Sequence, residues 1–283
     1  MTAWRLRVSH VAAPLTDSLT GMFHFTDALS GLIADIAQRV PALAHVRPER
    51  TLVFARRGRT GADGPNATCH CLTLPTSEPG YYFWADAITG SITRRSPWFV
   101  TRSPEVIVNG TPIEYMISVG LPRFADQVGR RKLERYVGLP PWVVRLDTVV
   151  HELYHIAPDA SGLRQLARAD GTLDQRTHPP RFFDDVRDLV LAYLETAPSP
   201  DVLEVVRHDF ATLQARHGSV VGTTFRDGTY PQRYVHVLDA QPAEPDVLVE
   251  PLKEAPGRAR FTEADLVVRD FSRARATTPV RAA

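Results

Sequence analysis

The sequence predicts an α+β fold: a small mixed sheet packed on one motif-bearing helix, with further helices and a hairpin after it. Three observations carry this. Short runs rich in β-branched and aromatic residues, bounded by turn residues, occupy the first half of the chain. Apolar residues at helical spacing recur in several separate segments. One of those segments contains His151-Glu152-Leu153-Tyr154-His155.

The elements follow in order. Leu29, Leu32, Ile33, Ile36 and Val40 mark a helix that Thr26 and Asp27 can cap and that ends near Pro41. Thr51 to Ala55 reads as a strand, Gly58 to Pro65 as an exposed loop, and Tyr81 to Ala85 as another strand. Val106 to Val108 precedes an Asn109-Gly110 turn, and Ile113 to Val119 is a further strand. The motif helix runs from about Val143 to Ile156 and stops before Pro158. A helix from Pro180 to Thr196 carries a core face of Phe183, Val186, Leu189, Val190 and Tyr193. Another starts at Ser199-Pro200 and ends at His217, with Gly218 as its C-cap. Ser219 to Phe225 and Arg233 to Leu238 read as a hairpin around Asp227-Gly228. Residues 1–239 are expected to form one domain. Residues 240–283, rich in Pro, Ala and charge, are expected to be a mobile tail with a short helix near Thr262 to Phe271.

Bulk properties exclude several function classes. With 283 residues, 43% hydrophobic, the chain has apolar material for a sizeable core. Its 33 basic and 32 acidic residues leave a net charge of +1, so bulk electrostatics do not suit a nucleic-acid or membrane-surface binder. No stretch is apolar enough to span a bilayer, and Met1 to Leu15 lacks a signal-peptide core, so the expected compartment is the cytoplasm. Cys69 and Cys71 are too close in sequence to suggest a disulfide scaffold.

The chemistry lies in His151-Glu152-x-x-His155. Residues four apart share one helix face, so both imidazoles can reach one metal ion. Glu152 sits about 100° round the helix, beside the metal without having to bind it. Zinc lowers the pKa of a water, and such a glutamate takes its proton as the water attacks a carbonyl. With 10 His and 12 Glu in the chain, roughly one to two shuffled chains per hundred would contain the pattern, so context must support it. Leu146, Val150, Leu153 and Ala157 form an apolar stripe, and both histidines lie off it on the expected wet or site-facing side.

Asp147 to Gly162, DTVVHELYHIAPDASG, resembles bacterial and phage families of zincin-like metallopeptidases. The likeness continues through Arg164, Gly171, His178 and Phe183-Asp184; it extends over about Thr51 to Leu194 and is strong from Asp147 to Asp185. It implies a zincin-like fold and a metal more firmly than a substrate. A catalytic zinc takes three protein ligands and keeps an open position. His178, where resembling sequences also carry a His, is the chosen third ligand, with Asp184 or Asp185 as the fallback. Asp147 either caps the motif helix or accepts from His151. Ile113 to Val119 is the candidate edge strand for a peptide, and Tyr154, Arg164, Arg181 and Tyr193 are candidate oxyanion donors.

Other features carry less. Cys69-His70-Cys71 lacks the spacing of a zinc knuckle and reads as a strand. His208, His217 and His236 show no ligand spacing, and Arg130, Arg131, Lys132 and Arg135 read as a solvated face. The expected function is zinc-dependent hydrolysis of a peptide or protein substrate, with His151, His155 and His178 as ligands and Glu152 as general base. Two rivals stand beside it: a zinc-binding adaptor without turnover, and a hydrolase of non-peptide amides.

Overall fold

The computed structural model describes residues 21–73, 78–79, 84–86, 92–93, 99–159, 161–168, 170–172, 174, 177–237, 249–251 and 258–272. Residues 81–83 of the expected strand Tyr81 to Ala85 lie outside these, as do Met1 to Leu15; residues 84–86 are a strand. The architecture is mixed α and β, built from small sheets and several helices.

Three strands make the sheet that positions the site: β2 (Thr51–Gly58), β3 (Ala67–Cys71) and β6 (Tyr115–Pro122). Their order is β2-β6-β3, with β6 parallel to β2 and antiparallel to β3. All but the last residue of β6 are buried, because both of its faces are covered. Ile117 and Val119 join the main core, whereas Met116 joins a second cluster with Leu52, Phe54 and Phe225. A strand buried on both faces reads as a continuous apolar run rather than an alternation, and it sits in the interior of its sheet. The expected edge strand at Ile113 to Val119 is therefore central, and β3 is the edge. Two further strands, β4 (Glu105–Val108) and β5 (Thr111–Pro112), form the expected tight hairpin, with Asn109 and Gly110 both at positive φ.

Helix α1 (Phe25–Arg39) buries Phe25, Leu29, Leu32, Ile33 and Ile36. Its N-cap is His24, which makes no side-chain cap bond, so the expected caps Thr26 and Asp27 lie inside the first turn. The Thr26 hydroxyl instead accepts the Thr223 N–H at 2.9 Å. The basic segment contributes a single turn, α2 (Arg130–Leu133). The motif helix is α3 (Val143–Tyr154), and α4 (Pro180–Glu195) packs beside it. On α4 the buried positions are Phe182, Val186, Val190 and Tyr193, with Phe183 and Leu189 only partly covered.

Three expectations fail in the last third. The single helix from Ser199 to His217 is two, α5 (Glu204–Arg207) and α6 (Phe210–His217). The Asp209 carboxylate breaks it by accepting the Thr212 N–H at 2.7 Å, a local bond that competes with helix continuation. The hairpin is absent. Strand β7 (Ser219–Phe225) lies between β1 (Met22–His24), to which it is parallel, and a strand from the expected tail, while Tyr234–Val237 pairs with Phe99–Arg102. Being buried on both sides, β7 needs two neighbours. The short helix at Thr262 to Phe271 is instead β8 (Arg260–Thr262), a 3-10 turn Glu263–Asp265 with a Thr262/Asp265 capping box, and β9 (Leu266–Asp270). β9 pairs antiparallel with β7, and Phe261, Leu266 and Phe271 are buried, so residues 258–272 belong to the packed body. None of the helices among the described residues is long and apolar enough to cross a membrane.

If this C-terminal strand were a loose tail, Leu266→Ala would change stability by less than ~0.5 kcal/mol. Its burial predicts a loss of about 2–5 kcal/mol, read by denaturant unfolding.

Candidate metal centre

Helix α3 begins after Pro140-Pro141 and is buried along its length, His151 being its one half-buried residue. Of the expected wet or site-facing side, the wet reading fails: that face is covered, mainly by α4 and the segment leading into it. One turn apart on α3, His151 and His155 aim their Nε2 atoms at one point, 3.2 Å from each other. His178 enters from the loop ahead of α4, its Nε2 3.1 Å from that of His151 and 3.0 Å from that of His155. The three predicted histidines form a group able to hold a metal ion.

The geometry of the triangle argues for a cation. An imidazole nitrogen presents either a proton or a lone pair along a single direction. With three Nε2 atoms converging, no choice of tautomers satisfies all three contacts: at least two of the nitrogens are in the same form, so two lone pairs or two N–H groups face each other. A cation at the centre satisfies all three. Tetrahedral zinc at 2.0–2.1 Å needs ligand nitrogens about 3.3–3.4 Å apart, within a few tenths of an ångström of the spacing seen. Burial is the main force lowering the imidazole pKa values, to about 2 for His151 and about 4 for His155, with the neighbouring histidines adding to it. His178 is lowered by burial too. All three are neutral at pH 7, the form that binds a metal.

Aromatic packing sets the ring orientations. Phe182, 0% exposed, has its ring centroid 4.9 Å from His151, 4.8 Å from His155 and 4.9 Å from His178. Phe183 stacks on His178 at 14°, and the Arg135 guanidinium lies over the Phe183 ring at 4.7 Å. The Nδ1 of His155 is buried with no hydrogen-bond partner, so that ring is held by packing rather than by an acceptor behind it. Phe182 was not singled out in the sequence; its spacing four residues after His178, on the first turn of α4, was the available signal.

Glu152 points to the sheet. Its carboxylate is 6% exposed, and Oε2 accepts the Cys69 N–H from β3 at 2.7 Å. Oε1 makes no hydrogen bond among the described residues. Burial raises its pKa to about 7, against the lowering effects of the Cys69 N–H, Lys132 and Arg56. In β3 the even-numbered residues pair with β6, and Leu72 N–H continues this to Glu114 O. Cys69 and Cys71 therefore turn their main-chain groups away from the sheet. The Cys-His-Cys run is a strand as read, with the His70 Nε2 3.0 Å from the Ser118 Oγ.

Polar groups around the centre are engaged elsewhere. Asp147 neither caps α3 nor meets His151: it accepts the Tyr136 hydroxyl at 2.7 Å and pairs with Lys132. The Lys132 ammonium also donates to the Thr148 Oγ1 at 2.9 Å, which anchors the basic segment to α3. Asp159 accepts from Ser161 in a local turn. Asp184 is exposed, and Asp185 accepts the Tyr154 hydroxyl at 2.7 Å, so neither fallback carboxylate joins the histidine group. Tyr193 donates to Asp35 at 2.5 Å, and Arg181 faces Asp185. Arg164 caps the end of the motif helix: its Nε donates to the Tyr154 O at 2.8 Å, and its main-chain N–H to the His155 O at 2.7 Å. Of the four candidate oxyanion donors, each is thus committed to another contact. His217 pairs with Glu204, His208 lies between α5 and α6, and the side chain of His236 lies outside the described residues.

Comparison with protein-family models, curated proteins and solved structures finds no match.

The aromatic floor predicts that Phe182→Leu, which keeps an apolar side chain, weakens metal affinity by roughly 10–100-fold, the range seen when groups that orient ligands are changed; competition against a chelator of known affinity reads it. The shifted pKa values also fix a pH dependence for the metal-free protein. His151 and His155 hold protons less tightly than in the unfolded chain, where imidazole titrates near 6.5. Their contribution is complete above that pH and falls on acidification. Glu152, shifted upward, acts in the opposite sense with the slope of one group. Between pH 6.5 and 5 a net loss of about 1.4 kcal/mol per pH unit follows, visible in melts of metal-free protein.

Proposed function

We propose that the chain is a zinc-dependent metallopeptidase with a zincin-like site. The observation that carries this is the convergence of three neutral imidazole nitrogens within 3.2 Å of one another, on a helix that also presents a buried carboxylate next in sequence to one of them. His151, His155 and His178 are the ligands. When bound, zinc supplies Lewis acidity, polarising a carbonyl and making water acidic near neutral pH.

Glu152 is the general base. The Cys69 N–H fixes Oε2, which leaves Oε1 to accept a proton and return it to the leaving amine. A carboxyl buried from water moves protons near neutral pH rather than near pH 4, and a nearby divalent cation pulls it back toward the ionised form. With the Cys69 N–H held by Glu152, the outward Cys69 carbonyl and the main-chain groups of Cys71 remain for an extended peptide to pair with, at the residue that anchors the base.

Two observations favour catalysis over a silent zinc-binding adaptor. The group holds three histidines and no carboxylate, with Asp185 bound to Tyr154, which suits an open fourth position. A purely structural site also has no use for a buried acid beside it. Hydrolysis of a non-peptide amide shares the water chemistry but does not use an extended edge.

Metal analysis and turnover on a mixed peptide library test the reading. Wild type is expected to hold one zinc per chain and to cleave. His178→Ala is expected to lose the metal, and Glu152→Gln to keep it while losing about 10²–10⁴-fold in rate. Stoichiometric zinc with no cleavage supports the adaptor; no zinc uptake removes the metal site itself.

A further inference from the structure

A cleft of about 310 Å³ lies along the edge of β3 that no strand among the described residues pairs with, lined by Cys69, His70, Cys71 and Leu72, by Leu163, and by Tyr230 to Arg233. This is the small end of ligand clefts, room for one or two side chains. Two main-chain bonds tie it to the proposed centre. Cys69, in one wall, donates to Glu152, and Arg164, next to Leu163, donates to the His155 O.

Leu163 is held out by the scaffold. Its loop is fixed by an antiparallel bridge to Ile156, by the Ala157 N–H bonding to the Gly162 O, and by the Tyr115 hydroxyl donating to the same oxygen at 2.7 Å. Yet Leu163 is 36% exposed, among the few large apolar residues so placed among those described. In the same lining, the Tyr230 ring is set by packing on Phe54 and His70, with centroids 5.3 and 5.1 Å away. The lining contains no carboxylate. His70 is kept neutral by burial, with Arg56 adding to the effect, its pKa about 4. Arg56 donates to the Ser118 Oγ that also meets His70, and Arg233 is itself in the lining, so the charged groups at the cleft are cationic. A basic side chain would find no counter-charge here, whereas an uncharged apolar one would cover Leu163 and the Tyr230 face.

We infer that the substrate is an extended peptide that lodges a large uncharged side chain, aromatic or aliphatic, between Leu163 and Tyr230, and that these two residues set the preference. This rests on the peptidase reading above. The test uses the zinc-loaded full chain and a labelled decapeptide series in which one position carries Phe, Leu, Lys or Glu. Wild type is expected to favour Phe or Leu over Lys by tenfold or more in kcat/KM. Leu163→Glu, at an exposed site, is expected to cut that ratio at least tenfold while zinc content stays the same. Binding of the same peptides to Glu152→Gln protein, with and without Leu163→Glu, is measured in parallel. An unchanged ranking in the variant overturns the inference. Discrimination in binding without turnover in the Glu152-containing protein upholds the cleft and overturns the peptidase; neither binding nor cleavage overturns both.

Discussion

Three lone pairs directed at one point repel one another, and the protein must hold them there against that repulsion. The means is apolar. Phe182 contacts all three imidazoles, Phe183 lies flat on His178, and burial keeps the rings uncharged. Such a basket costs little on its own, since aromatic rings would be buried in any case, but it obliges α4 to start within reach of His178. Pro179 and Pro180 ensure this, because fixed φ values begin the helix at once and carry Phe182 into its first turn.

Covering the histidines also means covering the rest of α3, including Arg145, Asp147, Thr148 and Glu152. Each then needs a partner, since an unpaired buried charge costs several kcal/mol. Arg145 spans the Val206 and Arg207 carbonyls at the end of α5, Asp147 takes Tyr136 and Lys132, and Glu152 takes the β3 main chain. These bonds join three separate segments to one helix. The polar residues that a soluble amphipathic helix would leave in water here determine which parts of the chain surround it.

The legible parts of the sequence were those governed by local periodicity. The extents of α3 and α4, the Asn109-Gly110 hairpin and the Gly218 cap all follow from spacing, proline and positive φ. The histidine group was legible because helical spacing brings His151 and His155 together, and because the resemblance pointed to His178. What could not be read depends on partners distant in sequence. Ile113 to Val119 looks like any apolar strand until β2 and β3 flank it. Asp147 looks like a cap until Tyr136 and Lys132 reach it. Thr262 to Phe271 has a genuine capping box, but Val267-Val268 takes the chain into a strand once β7 offers an edge. The Asp209 cap inside the helix expected from Ser199 to His217 was visible as a residue type and was overridden by the apolar pattern around it.

The pairing of β7 on one side with Met22–His24 and on the other with Leu266–Asp270 has a consequence for how the molecule is made. The histidine group draws on residues only 27 positions apart at most, from His151 to His178, so its members are synthesised close together. The sheet beside α1, in contrast, needs residues from near both ends of the described chain. During translation the histidine-bearing segment leaves the ribosome long before that sheet can close. For the time needed to add about ninety more residues, several seconds at ordinary elongation rates, a nascent chain of this length carries the histidine segment without that sheet. The order of synthesis thus places all three histidines outside the ribosome before the strand that completes the sheet beside α1 exists.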